Sequence, residues 1–139
     1  MRIECFLDTN VLLYAASTRI DDPHKYEIAL RLVAATYFGL SGQVLAEFMA
    51  NLKKRLLVPP TLEETSRWLD LLSIYPTVPV DEKLVRAGVS TSQRYQISYW
   101  DGAIIAAADR LSAPILYTED LNHGQTYGSV KVINPFKVN

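Results

Sequence analysis

The chain has 139 residues, 49% of them hydrophobic and 21% charged, an ordinary composition for one domain with its own core. A net charge of −1 and a pI near 6.1 offer no basic stripe for extended nucleic-acid binding. Such a role would need local cations, a bound metal ion or a second subunit. The single cysteine, Cys5, excludes an internal disulfide and a Cys-cluster zinc site, and no apolar run approaches a bilayer span.

Residues 2–7 read as a short buried strand through Ile3, Cys5, Phe6 and Leu7. Met1 to Glu4 carries an acid too early, and too short an apolar run, for a secretory signal, so the expected compartment is the cytosol. Asp8-Thr9-Asn10 can cap a short helix from Val11 to about Ala16. Asp22-Pro23 opens a helix to about Phe38. That helix has two apolar stripes, one through Tyr26, Leu30, Val33 and Tyr37 and one through Ile28, Leu32 and Ala35. A surface helix needs only one, so the second is either core or a partner face. Gly39 to Gly42 reads as a strand end running into a helix, Gln43 to Leu57. The broad apolar face of that helix leaves Gln43, Glu47, Asn51 and Lys54 on the polar side, and Lys53-Lys54-Arg55 near its C-terminus.

Pro59-Pro60 ends that helix, and Thr61 caps the next, about Leu62 to Ile74. Thr77 to Val80 is a short strand weakened by Pro79. Asp81 caps a helix from Glu82 to about Tyr95, and Trp100 to Leu111 forms another. Pro114 to Tyr117 and Val130 to Ile133 are the last strands, with turn signals at Asn122-His123-Gly124 and Tyr127-Gly128 between them. Strands alternate with helices and no hairpin signal joins adjacent strands. The expectation is one domain over residues 1–139, with a central parallel sheet of four to five short strands and helices on both faces.

In such sheets ligands gather at the C-terminal ends of the strands. Asp8 ends the first strand, with Thr9 and Asn10 adding polar oxygen, although a helix cap explains it equally well. Asp120 follows a later strand, beside Glu119 and after Thr118, where an ordinary turn acid is the alternative. Asp101 shares its helix side with Ile104, Ile105 and Ala108, so it should be desolvated unless something pairs with it. Glu47 lies on a polar helix face, where an exposed glutamate is the default. If these four carboxylates converge they repel one another, and a hard divalent cation, Mg²⁺ or Mn²⁺, relieves the repulsion. With a free coordination position, such a cation suits phosphodiester hydrolysis.

Four stretches in this order resemble the PIN domain, in particular VapC-type toxins of toxin–antitoxin pairs. They are Phe6 to Leu12, Gly42 to Phe48, Tyr99 to Ala108 and Tyr117 to Leu121. The resemblance implies a compact PIN-like α/β fold and a metal-dependent endoribonuclease with Asp8, Glu47, Asp101 and Asp120 as its acids. Thr9, Asn10 and Thr118 would support them. It further implies a structured RNA substrate such as transfer RNA, products with 5′ phosphate and 3′ hydroxyl ends, a homodimer, and a cognate antitoxin. Gly102 stands where many such proteins carry a bulkier residue.

Two other readings remain open from the residues. An aspartyl-nucleophile phosphatase would use Asp8 but places a second acid two positions on, where this chain has Asn10. A non-catalytic RNA- or protein-binding module would keep a residual acidic pocket, but here no acid is missing.

Overall fold

A computed structural model describes residues 2–137. In chain order its elements are β1 (Cys5–Leu7), α1 (Thr9–Ala16), α2 (Pro23–Ala35), β2 (Phe38–Ser41), α3 (Gly42–Asn51), α4 (Leu62–Leu72), β3 (Thr77–Val78), α5 (Glu82–Tyr95), α6 (Tyr99–Arg110), β4 (Ile115–Tyr117), β5 (Thr126–Tyr127) and β6 (Val130–Ile133). The strands form one sheet in the order β3-β2-β1-β4-β6-β5. Every pairing is parallel except β5 with β6.

This topology decides where a ligand can sit. From β1 the chain winds outward through β2 to β3, then returns past β1 to β4 and β6 on the other side. Right-handed crossovers therefore place α1 to α4 on one face and α5 and α6 on the opposite face. Packing agrees: α1 touches α2 and α3, while α5 and α6 pack on each other. The direction reverses between β1 and β4, and the crevice beyond their C-terminal ends is the switch-point site of open parallel sheets.

Buried side chains explain why such short strands hold. Phe6, Leu7, Phe38, Leu40, Leu116 and Val132 are all fully enclosed. β1 and β2 are buried along their whole length, as strands covered on both faces should be, so neither shows alternation. α6 is buried from Gly102 through Ala108, and its small residues let it lie close to α5.

Several boundaries differ from the sequence reading. α1 begins at Thr9 because Asp8 itself is the N-cap. α2 stops at Ala35, so Tyr37 falls outside it and the proposed long stripe is broken. Ile28, Leu32 and Val33 pack toward the core while Leu30 is 43% exposed. α3 ends at Asn51 and tightens into a 3-10 turn over Leu52–Arg55. β3 ends at Val78, directly before Pro79, at the sheet edge where a missing N–H is tolerated. The sheet has a sixth strand and a hairpin the sequence did not suggest. Gly128, at φ 63°, turns β5 into β6. β5 is only two residues long, too short to show any period.

Candidate active site

Sheet register builds the centre of the site. Phe6 pairs with Leu116 and Leu7 with Tyr117, so the next residues, Asp8 and Thr118, emerge side by side. The Asp8 amide donates to the Tyr117 carbonyl at 3.1 Å, continuing the ladder one step past the strand. Thr118, only 1% exposed, donates its hydroxyl to Asp8 Oδ2 at 2.7 Å. The same hydroxyl accepts from the Asp120 amide at 3.1 Å. Asp8 Oδ1 accepts from the Thr9 amide at 2.7 Å. Asp8 thus caps α1 with one oxygen while Thr118 holds the other.

The other acids arrive on helices. β2 runs into α3 through Ser41, whose hydroxyl caps the helix by accepting from the Val44 amide at 3.2 Å. One turn later α3 presents Glu47, whose carboxylate accepts from Thr9 Oγ1 at 3.3 Å and Gln43 Nε2 at 2.9 Å. Ser98 caps α6 by accepting from the Asp101 amide at 3.1 Å, so Asp101 lies in the first turn and is not the cap. Asp101 is half-buried, less enclosed than its apolar helix side suggested, because the first turn of α6 opens into a cavity.

That cavity, about 100 Å³, is lined by all four predicted acids, Asp8, Glu47, Asp101 and Asp120, together with Gln43 and Trp100. Glu119 points elsewhere. It accepts from Tyr14 Oη at 2.7 Å and pairs with Lys25 Nζ at 2.8 Å. This divides the adjacent acids: Asp120 lines the cavity and Glu119 ties β4 to α1 and α2. Of the supporting residues, Thr9 and Thr118 bond the acids directly, whereas Asn10 lines a neighbouring cleft. Gln43 is the contact the sequence reading missed, although its i,i+4 spacing to Glu47 was visible.

Burial pushes the Asp8 carboxyl up to about 6, against the lowering effect of the bonds from Thr118 and the Thr9 amide; the charges of Asp120 and Glu47 push the same way as burial. Asp120 is exposed overall, but its carboxyl is also raised, by desolvation first and then by the charges of Glu119 and Asp101. Raised carboxyls in an all-oxygen pocket are what a hard cation relieves. No group of three or more His, Cys, Asp or Glu side chains among the described residues is placed to hold one ion as it stands. The donor chemistry nevertheless fits. Among the described residues each Asp8 oxygen accepts one hydrogen bond and keeps a second lone pair, and Glu47 and Asp120 are exposed at the cavity.

The raised Asp8 value carries a signed expectation. A folded-state value above the ordinary 3.8 means that the protonated form stabilises the fold. That contribution is fully present below about pH 4 and is lost as pH rises through about 6, by up to roughly 3 kcal/mol. Thermal melts of metal-free protein should therefore fall more steeply between pH 5 and pH 7 (both about) than melts of Asp8→Asn. Parallel profiles would sink this assignment.

Beside the cavity lies a polar cleft of about 290 Å³ whose lining includes Thr9, Tyr14, Glu47, Lys54 and Arg55. An apolar depression of about 790 Å³, with Val80, Val85, Tyr99 and Trp100 in its wall, shares Gln43, Glu47 and Trp100 with the cavity. Glu47 borders all three. No helix among the described residues is long and apolar enough to cross a membrane.

The fold is shared with solved structures. A chain of a toxin–antitoxin complex from Klebsiella pneumoniae superposes with a TM-score of 0.69 at 20% identity, covering 96% of this chain and 99% of that one. VapC20 of Mycobacterium tuberculosis, a toxin that cleaves the sarcin–ricin loop, superposes with a TM-score of 0.65 at 19% identity, over 84% of this chain and 89% of its own. At such identities the likeness is one of fold. No curated protein sequence matches significantly. The PIN domain model matches residues 5–128, from β1 to the β5–β6 turn and across every acid of the cavity. The chain therefore belongs to the PIN domain family.

Proposed function

We propose that this chain is a divalent-metal-dependent endoribonuclease of the VapC toxin type. The observation that carries the reading is the single cavity lined by Asp8, Glu47, Asp101 and Asp120, four acids from distant parts of the chain, at the sheet's switch point. Asp8, Asp101 and Asp120, with Glu47, would hold Mg²⁺ or Mn²⁺. When bound, such an ion supplies positive charge that polarises the phosphodiester and favours ionisation of an attacking water.

The chain's own residues prepare that chemistry. Thr118 and the Thr9 amide fix the two oxygens of Asp8, so its orientation is set before substrate arrives. Glu47 stands at the mouth, exposed and steadied by Gln43 and Thr9, where it can accept a proton from the attacking water. In the same reading the partners are an RNA with a structured loop, such as a transfer RNA, a second copy of the chain, and a cognate antitoxin that covers the acids. The compartment is the cytoplasm. The phosphatase reading gains nothing: Asn10 lies in the adjacent cleft and supplies no second acid.

Excess EDTA is expected to abolish RNA cleavage, and Mg²⁺ or Mn²⁺ to restore it. The same ions should raise the melting temperature near neutral pH, as ligands of the native state do. Equal cleavage of RNA with and without EDTA would refute the mechanism.

A further inference from the structure

We infer that Lys54 and Arg55, in the cleft beside the acids, form a binding site for a backbone phosphate of the RNA adjoining the one that is cut. The inference rests on the nuclease reading above and adds which cations seat the strand and on which side of the acids.

Continuity is the first ground. Thr9 and Glu47 line the cleft and bond each other, and Glu47 also lines the acid cavity, so a strand leaving the cavity on this side enters the cleft directly. The depression that also borders Glu47 has no lysine or arginine among its lining residues, so it offers a phosphate no charge.

The second ground is that these cations are unspent. Lys25, Arg31, Arg67, Arg86 and Arg110 all pair with carboxylates. Lys54 and Arg55 make no ion pair among the described residues. Lys25 is held by Glu119 at 2.8 Å and is not free for a phosphate.

Preorganisation is the third ground. Arg55 Nε donates to Ser17 Oγ at 3.1 Å, and buried Ser17 is itself fixed by donating to the Leu13 carbonyl at 2.7 Å. The guanidinium lies 4.7 Å from the centre of the Tyr14 ring. Backbone amides of Thr18 and Arg19 both donate to the Arg55 carbonyl, at 3.0 and 2.9 Å. The terminal amino groups of Arg55 make no hydrogen bond among the described residues, which leaves a planar fork suited to phosphate oxygens. Lys54 Nζ reaches Asn51 Oδ1 at 3.2 Å, and Asn51 Nδ2 donates to the Glu47 carbonyl at 2.8 Å. The 3-10 turn after α3 carries both cations to the same wall as Glu47.

The test measures binding of a fluorescent single-stranded RNA by anisotropy over a series of salt concentrations. Asp8→Asn serves as the common background, so that no cleavage intervenes. Lys54→Gln and Arg55→Gln should each weaken binding by about threefold to tenfold and lower the log–log salt slope by about 0.7, the value for one lost phosphate contact on a single strand. Arg67→Gln, on α4 and paired with Glu63, should change neither quantity. Arg55→Lys should recover the slope but not the full affinity, because it keeps the charge and loses the fork. Lys54→Gln keeps the test decisive should Arg55→Gln fail to fold. If the parent chain cleaves RNA and both glutamine variants keep its affinity and slope, the phosphate site is overturned alone. If the parent neither binds nor cleaves RNA, the nuclease reading falls and takes this site with it.

Discussion

Replacing Asp8 by asparagine is expected to lower RNA cleavage by at least about a hundredfold, more than the loss of a supporting contact usually costs. The same change should raise the melting temperature of the metal-free protein by roughly 4 °C or more. The two effects have opposite signs for one physical reason. Asp8 is desolvated and sits among other acids, so its ionised form destabilises the fold at neutral pH. Asparagine removes that charge, and its Oδ1 can still accept from the Thr9 amide that opens α1. Its amide would face Thr118 Oγ1, which has accepting capacity. A variant that loses activity because it unfolds would melt lower, so cleavage and melting measured together separate function from folding. Retained cleavage in Asp8→Asn would show that the chemistry lies elsewhere.

Gly102→Ala should give the largest loss of stability from one added methyl group, on the order of 8 °C in melting temperature. A β-carbon at Gly102 would lie 2.6 Å from the Gly88 carbonyl oxygen, 2.7 Å from the Ser92 amide nitrogen and 2.8 Å from Ser92 Cβ. Two of these are backbone atoms of α5, so α5 and α6 must move apart. Overpacking typically costs about 1–3 kcal/mol, and contact with backbone atoms that cannot swing aside puts this case at the upper end, above the ~1 kcal/mol helical preference of alanine over glycine. Gly42→Ala is the control. Its new β-carbon is close to Val80 Cγ2 at 3.3 Å, with the Val80 amide nitrogen at 3.6 Å and the Val78 carbonyl oxygen at 3.8 Å in ordinary contact, so a small shift of one side chain accommodates it. Cleavage should also fall in Gly102→Ala, because Asp101 is the preceding residue and moves with α6. Equal melting temperatures for the two alanine variants would contradict the tight α5–α6 contact. The contact also explains why this position holds glycine.

Local chemistry made much of the fold legible. Asp22-Pro23, Thr61 and Asp81 signalled three helix starts correctly, because a cap depends on residues within one turn. The strands at Cys5–Leu7 and Ile115–Tyr117 were visible as short apolar runs ending in polar residues. The β5–β6 hairpin was not, since two residues carry no period and only Gly128 marked the turn. For α2, two apolar stripes could not reveal which faces inward; that depends on α1, which packs against it.

By itself the sequence determined which acids were available, that two of them follow strands, and that the polar side of the α3 segment carries Glu47, Asn51 and Lys54. Each of these is a matter of residue type and spacing along one element. Only the tertiary structure decided the rest. The register of β1 against β4 put Thr118 on Asp8 across 110 positions of chain. Tyr14 and Lys25 claimed Glu119 and left Asp120 to the cavity. The 3-10 turn and Ser17 brought Arg55 beside the acids instead of leaving it on a solvated helix end. Side-chain direction at these positions is set by contacts between distant elements, and no local propensity carries that information.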